Sequence, residues 1–274
     1  MYRQTMEHSD RAWWIAILGG AAALIAAIYF FWPQPPAPAP TTAVAPPAPD
    51  SAPTATPPAE PVIEHPIEAV RPPEAPPSVT LADSDAPLAG ALAHLLGDAR
   101  LRKWFHTDSM VRRFVATIDN VPRQAVSMKV RSLQPIDGRF EAVREGDAIT
   151  LGAGNAARYT PYVHALERVD AKQLAGVYLR FYPLFQQAYE ELGYPKAYFN
   201  DRLVQAIDHL LATPEIAGAL ALKQPKVLYE FEDPQLEALS AGQKAMLRIG
   251  PDNARRVKAK LRALRAEVTA KAKP

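Results

Sequence analysis

The prolines of this chain are confined. Seventeen of the 28 lie between Pro33 and Pro77, in a stretch otherwise dominated by alanine, with threonine and a few glutamates. Proline has no amide donor and a fixed φ, so such a stretch enters neither a helix interior nor a central strand. It also lacks the apolar surface that would offset its ordering entropy. Residues 33–80 are therefore expected to be a disordered linker biased toward polyproline II, and folded structure has to be built on either side of it. At about 3.1 Å per residue, its proline-dense part spans on the order of 140 Å when fully extended. A spacer is the expected role. A ligand for a polyproline-reading domain is the alternative, and no repeated motif supports it.

Directly before the prolines runs Trp13 to Trp32, WWIAILGGAAALIAAIYFFW, without a charge. At about 1.5 Å per residue it covers roughly 30 Å, the thickness of a bilayer core. Trp13, Trp14, Tyr29 and Trp32 stand at its ends, where amphipathic rings favour the interface. A transmembrane helix is expected over 13–32, with the lipid bilayer as its partner. A cleaved signal peptide is the rival, but its apolar region is normally shorter. Ala43-Val44-Ala45 resembles a cleavage motif, yet it lies far beyond the apolar run and precedes Pro46. Arg3 and Arg11 precede the segment, and no Lys or Arg follows it until Arg71. That bias places residues 1–12 in the cytoplasm and the remainder outside it, in the periplasm of a cell with two membranes. The expected location is the inner (plasma) membrane, crossed once.

From Leu81 the composition becomes that of a folded domain, residues 81–274, with 28 basic and 22 acidic side chains. Helical spacing recurs through it: Leu88, Leu92, Leu95 and Leu96, with Asp85 as N-cap; Val111, Phe114, Val115 and Ile118; Leu203, Val204, Ile207, Leu210 and Leu211, opened near Asn200 and closed by Thr213-Pro214. Gly250-Pro251 separates two further helices. Residues 140–143 and 148–151 flank Glu145-Gly146-Asp147 as a hairpin, and Val227-Leu228-Tyr229 reads as a short strand. The expected fold is mainly α: one transmembrane helix, a proline-rich disordered linker, then a helical globular domain with a minor β-hairpin.

Residues 178–199, YLRFYPLFQQAYEELGYPKAYF, hold eight of the 23 aromatic side chains. Tyr178, Phe181, Tyr182, Phe185 and Tyr189 share one helical face, with Pro183 inside the run. One reading is a core helix whose tyrosine hydroxyls find partners. The other is a sugar-binding groove, with Tyr182, Tyr189 and Tyr194 as ring platforms and Glu190 and Glu191 as polar contacts.

These blocks carry a resemblance. VRRFVATIDNVPR (111–123), QPIDGRF (134–140), YLRFYPLFQQAYEELGYP (178–195), QPKVLYEFEDPQLEALS (224–240) and MLRIGPDNARRVKAKLRALR (246–265) resemble a bacterial domain-of-unknown-function family, number 3014, of single-pass membrane proteins. The resemblance implies no activity and no catalytic residues.

Chemistry-bearing patterns are sparse. The chain has no cysteine, which excludes disulfides, thiolate metal sites and cysteine nucleophiles. Gly152-Ala153-Gly154-Asn155-Ala156-Ala157 matches G-x-G-x-x-A, but Pro161 follows and no second parallel strand does, so a plain glycine turn is expected. His94, His106, His164 and His209 stand apart from one another, without metal-ligand spacing. No G-x-S-x-G elbow occurs. Adjacent Glu190 and Glu191 point about 100° apart on a helix, so a glycosidase pair would need a third carboxylate such as Asp201 or Asp208, and plain helix-surface carboxylates are the simpler reading. No catalytic, cofactor or metal role is assigned to any residue, and no nucleic acid is expected as a partner. From Lys244 to Lys273 ten basic residues face only Asp252 and Glu267. Val257, Leu261, Leu264 and Val268 form a narrow stripe there, so that helix packs on its own domain, pairs with a partner helix or lies on anionic lipid through residues such as Arg255, Arg256 and Lys258. The function that follows is an envelope interaction or scaffolding module that binds an envelope protein or cell-wall polymer. The alternative is a cell-wall glycan-binding module or hydrolase using residues 178–199.

Overall fold

A computed structural model describes residues 62–67, 79–125 and 127–270, all within one compact unit that begins at Pro58. The elements run α1 (Asp85–Leu96), α2 (Asp98–Trp104), α3 (Met110–Asn120), β1 (Ala142–Glu145), β2 (Ala148–Leu151), α4 (Ala153–Arg168), α5 (Ala171–Glu191), α6 (Phe199–Leu211), β3 (Leu222–Lys223), β4 (Glu230–Phe231), α7 (Pro234–Glu237), α8 (Ala241–Arg248) and α9 (Pro251–Thr269). The folded domain is mainly helical with small hairpins. Among the described residues no helix is long and apolar enough to cross a membrane. Residues 13–32, expected to do so, lie outside the described residues, as does most of 33–80.

The aromatic helix α5 is the centre. Asp170 caps it, its side chain accepting the amide of Gln173 at 2.9 Å. Tyr178, Phe181, Tyr182, Phe185 and Tyr189 are all buried. Three of them pack on Phe199, which is 0% exposed: Tyr189 lies 5.4 Å, Phe185 6.1 Å and Tyr178 6.4 Å from it, ring to ring. Phe114 of α3 closes on Phe185 at 5.2 Å. Helices α1, α3, α6 and α9 all pack on α5. The core reading of the aromatic face therefore holds, and these buried rings meet other side chains of the domain, mostly in tilted and edge-on contacts. The stripe of α9 likewise packs on α4, α5 and α6, so the C-terminal helix covers its own domain.

A second, smaller core surrounds Leu222, Phe231 and Leu247. The hairpin β1–β2 exists with its first strand two residues later than expected, pairing Ala142 with Leu151 and Glu145 with Ala148. Gly146 takes a positive φ in its turn. A second hairpin, β3–β4, sits beside it through the Thr150–Ala221 bridge. Val227 and Leu228, expected in a strand, are 87% and 76% exposed between β3 and β4. Their apolar side chains, not pairing, produced the strand expectation.

Two local expectations change. Asp85 does not cap its own helix. Its carboxylate accepts the amides of Ser109 and Met110, both at 2.7 Å, and so closes the start of α3 from a distance. The glycines at 152 and 154 make room for a side chain. A Cβ on Gly152 would lie 2.6 Å from Cγ of Glu141, and one on Gly154 would also strike that carboxylate. The start of α4, where a cofactor phosphate would sit in a dinucleotide fold, is filled by the chain's own anion.

The linker expectation also changes over a short span. Residues 62–67 lie against α6 as a strap, and Ile67 is buried in the main core at 7% exposure. Truncating the aromatic centre tests this packing. Phe185→Ala should lose about 3–5 kcal/mol in urea unfolding. Glu190→Gln, on the solvent side of the same helix, should leave the midpoint unchanged.

Candidate functional site

A cleft of about 360 Å³ opens where α3, α6 and the 189–198 turn meet the strap. Its floor holds a buried carboxylate. Asp119 is 3% exposed, on the α3 face that also carries Val111 and Val115. Arg123 donates to its Oδ2 at 2.6 Å, and Arg202 to its Oδ1 at 3.2 Å. Arg202 also donates to the Asp119 carbonyl at 2.6 Å, and the Tyr194 hydroxyl approaches Oδ2 at 3.4 Å. Arg123 in turn donates to Tyr194 Oη at 2.9 Å. Asp119 beside it raises the Arg123 guanidinium above its ordinary value. Tyr194 stacks on Tyr189 at 4.6 Å, and burial pushes the Tyr189 hydroxyl up.

The strap forms one wall through Val62 and Glu64. Asp201, in the first turn of α6, accepts the amide of Glu64 on Oδ2 at 3.1 Å and that of His65 on Oδ1 at 2.7 Å. The Asn200 side chain donates to the His65 carbonyl at 2.9 Å, and the Ile67 amide donates to the Tyr198 hydroxyl at 2.7 Å.

This geometry suits binding better than acid–base chemistry. A general acid or base needs a carboxylate free to exchange a proton with its substrate. Both oxygens of Asp119 and both of Asp201 are already engaged by protein donors. Among the described residues no group of His, Asp and Glu could hold a metal ion. The structure does join Ser240 and His209 at 2.8 Å. However, Ser240 is buried and caps α8 in a reciprocal box with Gln243, and burial lowers the pKa of His209. The pair locks a helix start.

The residues singled out from the sequence scatter. Tyr189 and Tyr194 meet in the cleft. Tyr182 is buried beside Tyr198, its hydroxyl on Gln186 at 3.1 Å and pushed well up by burial. Glu190 accepts from Gln186 at 2.9 Å. Glu191 pairs with Arg112 at 3.0 Å, which lowers its pKa. On α9, Arg255 pairs with Asp252, Arg256 with Glu167 at 2.9 Å, and Lys258 turns inward to the Thr213 carbonyl at 2.7 Å. Lys258 is therefore buried and takes no place on an exposed basic face. Asp119, Arg123 and Arg202 were not singled out. The available signal was Asp119 itself, a carboxylate continuing the Val111–Val115 row at helical spacing.

A family model described as "Protein of unknown function (DUF3014)" matches residues 110–265. The chain belongs to this family. No curated protein and no solved structure matches it. The DUF3014 span contains Asp119, Arg123, Tyr189, Tyr194 and Arg202, so the cleft floor lies inside it. The strap at 62–67 lies outside the span. In this DUF3014 domain the buried carboxylate can be tested directly. Asp119→Ala should cost about 3 kcal/mol in chemical unfolding, the low end for removing one partner of a buried ion pair, because Arg123 is half-exposed and can turn to water. An equal loss in the Tyr194→Phe variant would show that the hydroxyl, not the charge, dominates.

Proposed function

We propose that this chain is a membrane-anchored envelope protein whose helical domain is an interaction module, and that a partner protein docks in the tyrosine-lined cleft. The anchor and orientation rest on the uncharged segment 13–32, on Arg3 and Arg11 ahead of it and on the proline-rich stretch behind it. One observation carries the choice of a binding role: the cleft is open, Tyr194, Tyr198 and Arg123 are partly exposed along it, and the carboxylates of Asp119 and Asp201 are both held by other protein groups. Such a surface offers shape, aromatic area and hydrogen-bonding side chains without a proton donor poised for hydrolysis.

A cell-wall glycan is the second reading, favoured by a different place. Trp104 and Tyr162 meet at 4.4 Å in a cleft of about 370 Å³ rimmed by Arg100 and Lys103. All three cations there have partners: Arg158 donates to the carbonyls of Asp137 and Arg139 at 3.0 and 2.7 Å, Lys103 pairs with Asp137 at 3.6 Å and Arg100 donates to the Leu96 carbonyl at 3.2 Å.

Photo-crosslinking in cells separates the two. A benzophenone side chain at Gln205, in the tyrosine cleft, should capture a discrete protein, and one at Lys103 should not. Capture of glycan at Lys103 with none of protein at Gln205 would favour the second reading. The same strain should show activity of an exported reporter fused after Pro274. Activity of a cytoplasm-only reporter there would overturn the orientation.

A further inference from the structure

The strap is held chiefly by groups that read its backbone. Asp201 takes two successive amides, Asn200 takes the His65 carbonyl and Tyr198 takes the Ile67 amide. Only Ile67 adds a buried side chain, while Val62 is 84% and Ile63 49% exposed. This is the grammar of a peptide-binding groove: main-chain hydrogen bonds for affinity and one apolar pocket for selectivity. Its central reader is set by the domain independently of the strap. Asn200 is 0% exposed, its Oδ1 accepts from the Tyr178 hydroxyl at 3.1 Å and its Nδ2 also donates to the Val268 carbonyl at 3.1 Å.

We propose that this groove is an exchangeable peptide site and that residues 62–67 of a second copy of the chain occupy it in trans. The segment Val62-Ile63-Glu64-His65-Pro66-Ile67 is the sequence seen to make all four hydrogen bonds to these three readers and to fill the pocket. Eleven residues separate Ile67 from Val79 in the sequence. At about 3.1 Å per residue, eleven residues reach at most roughly 35 Å, which sets the greatest distance over which two chains could exchange the strap. A reciprocal exchange keeps every contact that the strap makes within one chain, which is what makes segment swapping inexpensive. One buried side chain and four hydrogen bonds set against six ordered residues also make the strap easier to release than the core helices. Exchange would tie two domains together while each cleft keeps its wall.

The absence of cysteine allows a direct test on the full chain. Val62→Cys is placed in one tagged copy and Gln205→Cys in a second, differently tagged copy; the two positions line the same cleft. On co-expression and mild oxidation a covalent heterodimer should form, and Asp201→Ala in the Gln205→Cys copy should reduce it at least fivefold. A labelled peptide of residues 60–68 should bind a full chain whose residues 62–67 are replaced by Gly and Ser, and bind the wild type at least tenfold more weakly. Neither arm truncates the main helices, so folding is checked by circular dichroism alone. A heterodimer no more abundant than its Asp201→Ala control overturns the proposal, as does failure of the peptide to bind the folded replaced chain. Peptide binding without heterodimer would also overturn it, because the second copy would then not be the occupant.

Discussion

Everything in this domain depends on the burial of the aromatic face of α5. Five buried rings line that face, three of them (Tyr178, Phe185 and Tyr189) packed on Phe199, and four other helices pack against it. Rings of this size bring large apolar areas out of water and prefer tilted or offset contacts, which the observed ring geometry provides. Phe199 begins α6, so the same packing fixes the residues just after it. Asn200, Asp201 and Arg202 follow in sequence and point to the interior, the strap and Asp119 in turn. The cleft is thus a by-product of one well-packed residue at a helix start.

The polar part of the site is stabilised differently. Asp119 sits where the Val111–Val115 row of α3 would call for an apolar side chain. Two guanidinia from 4 and 83 residues away and a tyrosine hydroxyl compensate its lost hydration. A buried ion pair of this kind adds little net stability relative to a well-packed apolar replacement, but its loss on one side is costly. At the cleft, Arg123 and Tyr194 extend from this buried carboxylate toward the surface.

The sequence made the helices legible wherever a stripe was long. The α3, α6 and α9 rows were read correctly, and the α9 stripe proved to cover the domain's own core. The aromatic run was legible as a core helix because its spacing keeps one face. The cleft was only half legible. Tyr189 and Tyr194 lie near one another in sequence, whereas Asp119 meets Arg202 only through tertiary packing. Val227 and Leu228 were misplaced because β-branched and aliphatic residues at a turn look like a strand. The strap was hidden by composition. Val62, Ile63 and Ile67 are an aliphatic cluster in a stretch otherwise dominated by proline and alanine, and that cluster was the missed signal.

The central claim is that residues 62–67 belong to the folded domain and build one wall of its cleft. Amide hydrogen exchange on the full chain measures this directly, because the Glu64, His65 and Ile67 amides donate to Asp201 and Tyr198. The account predicts clear protection of those amides, lost in Asp201→Ala while the amides of α5 stay protected. Exchange of all three at the rate of an unstructured peptide in the wild-type chain would contradict it.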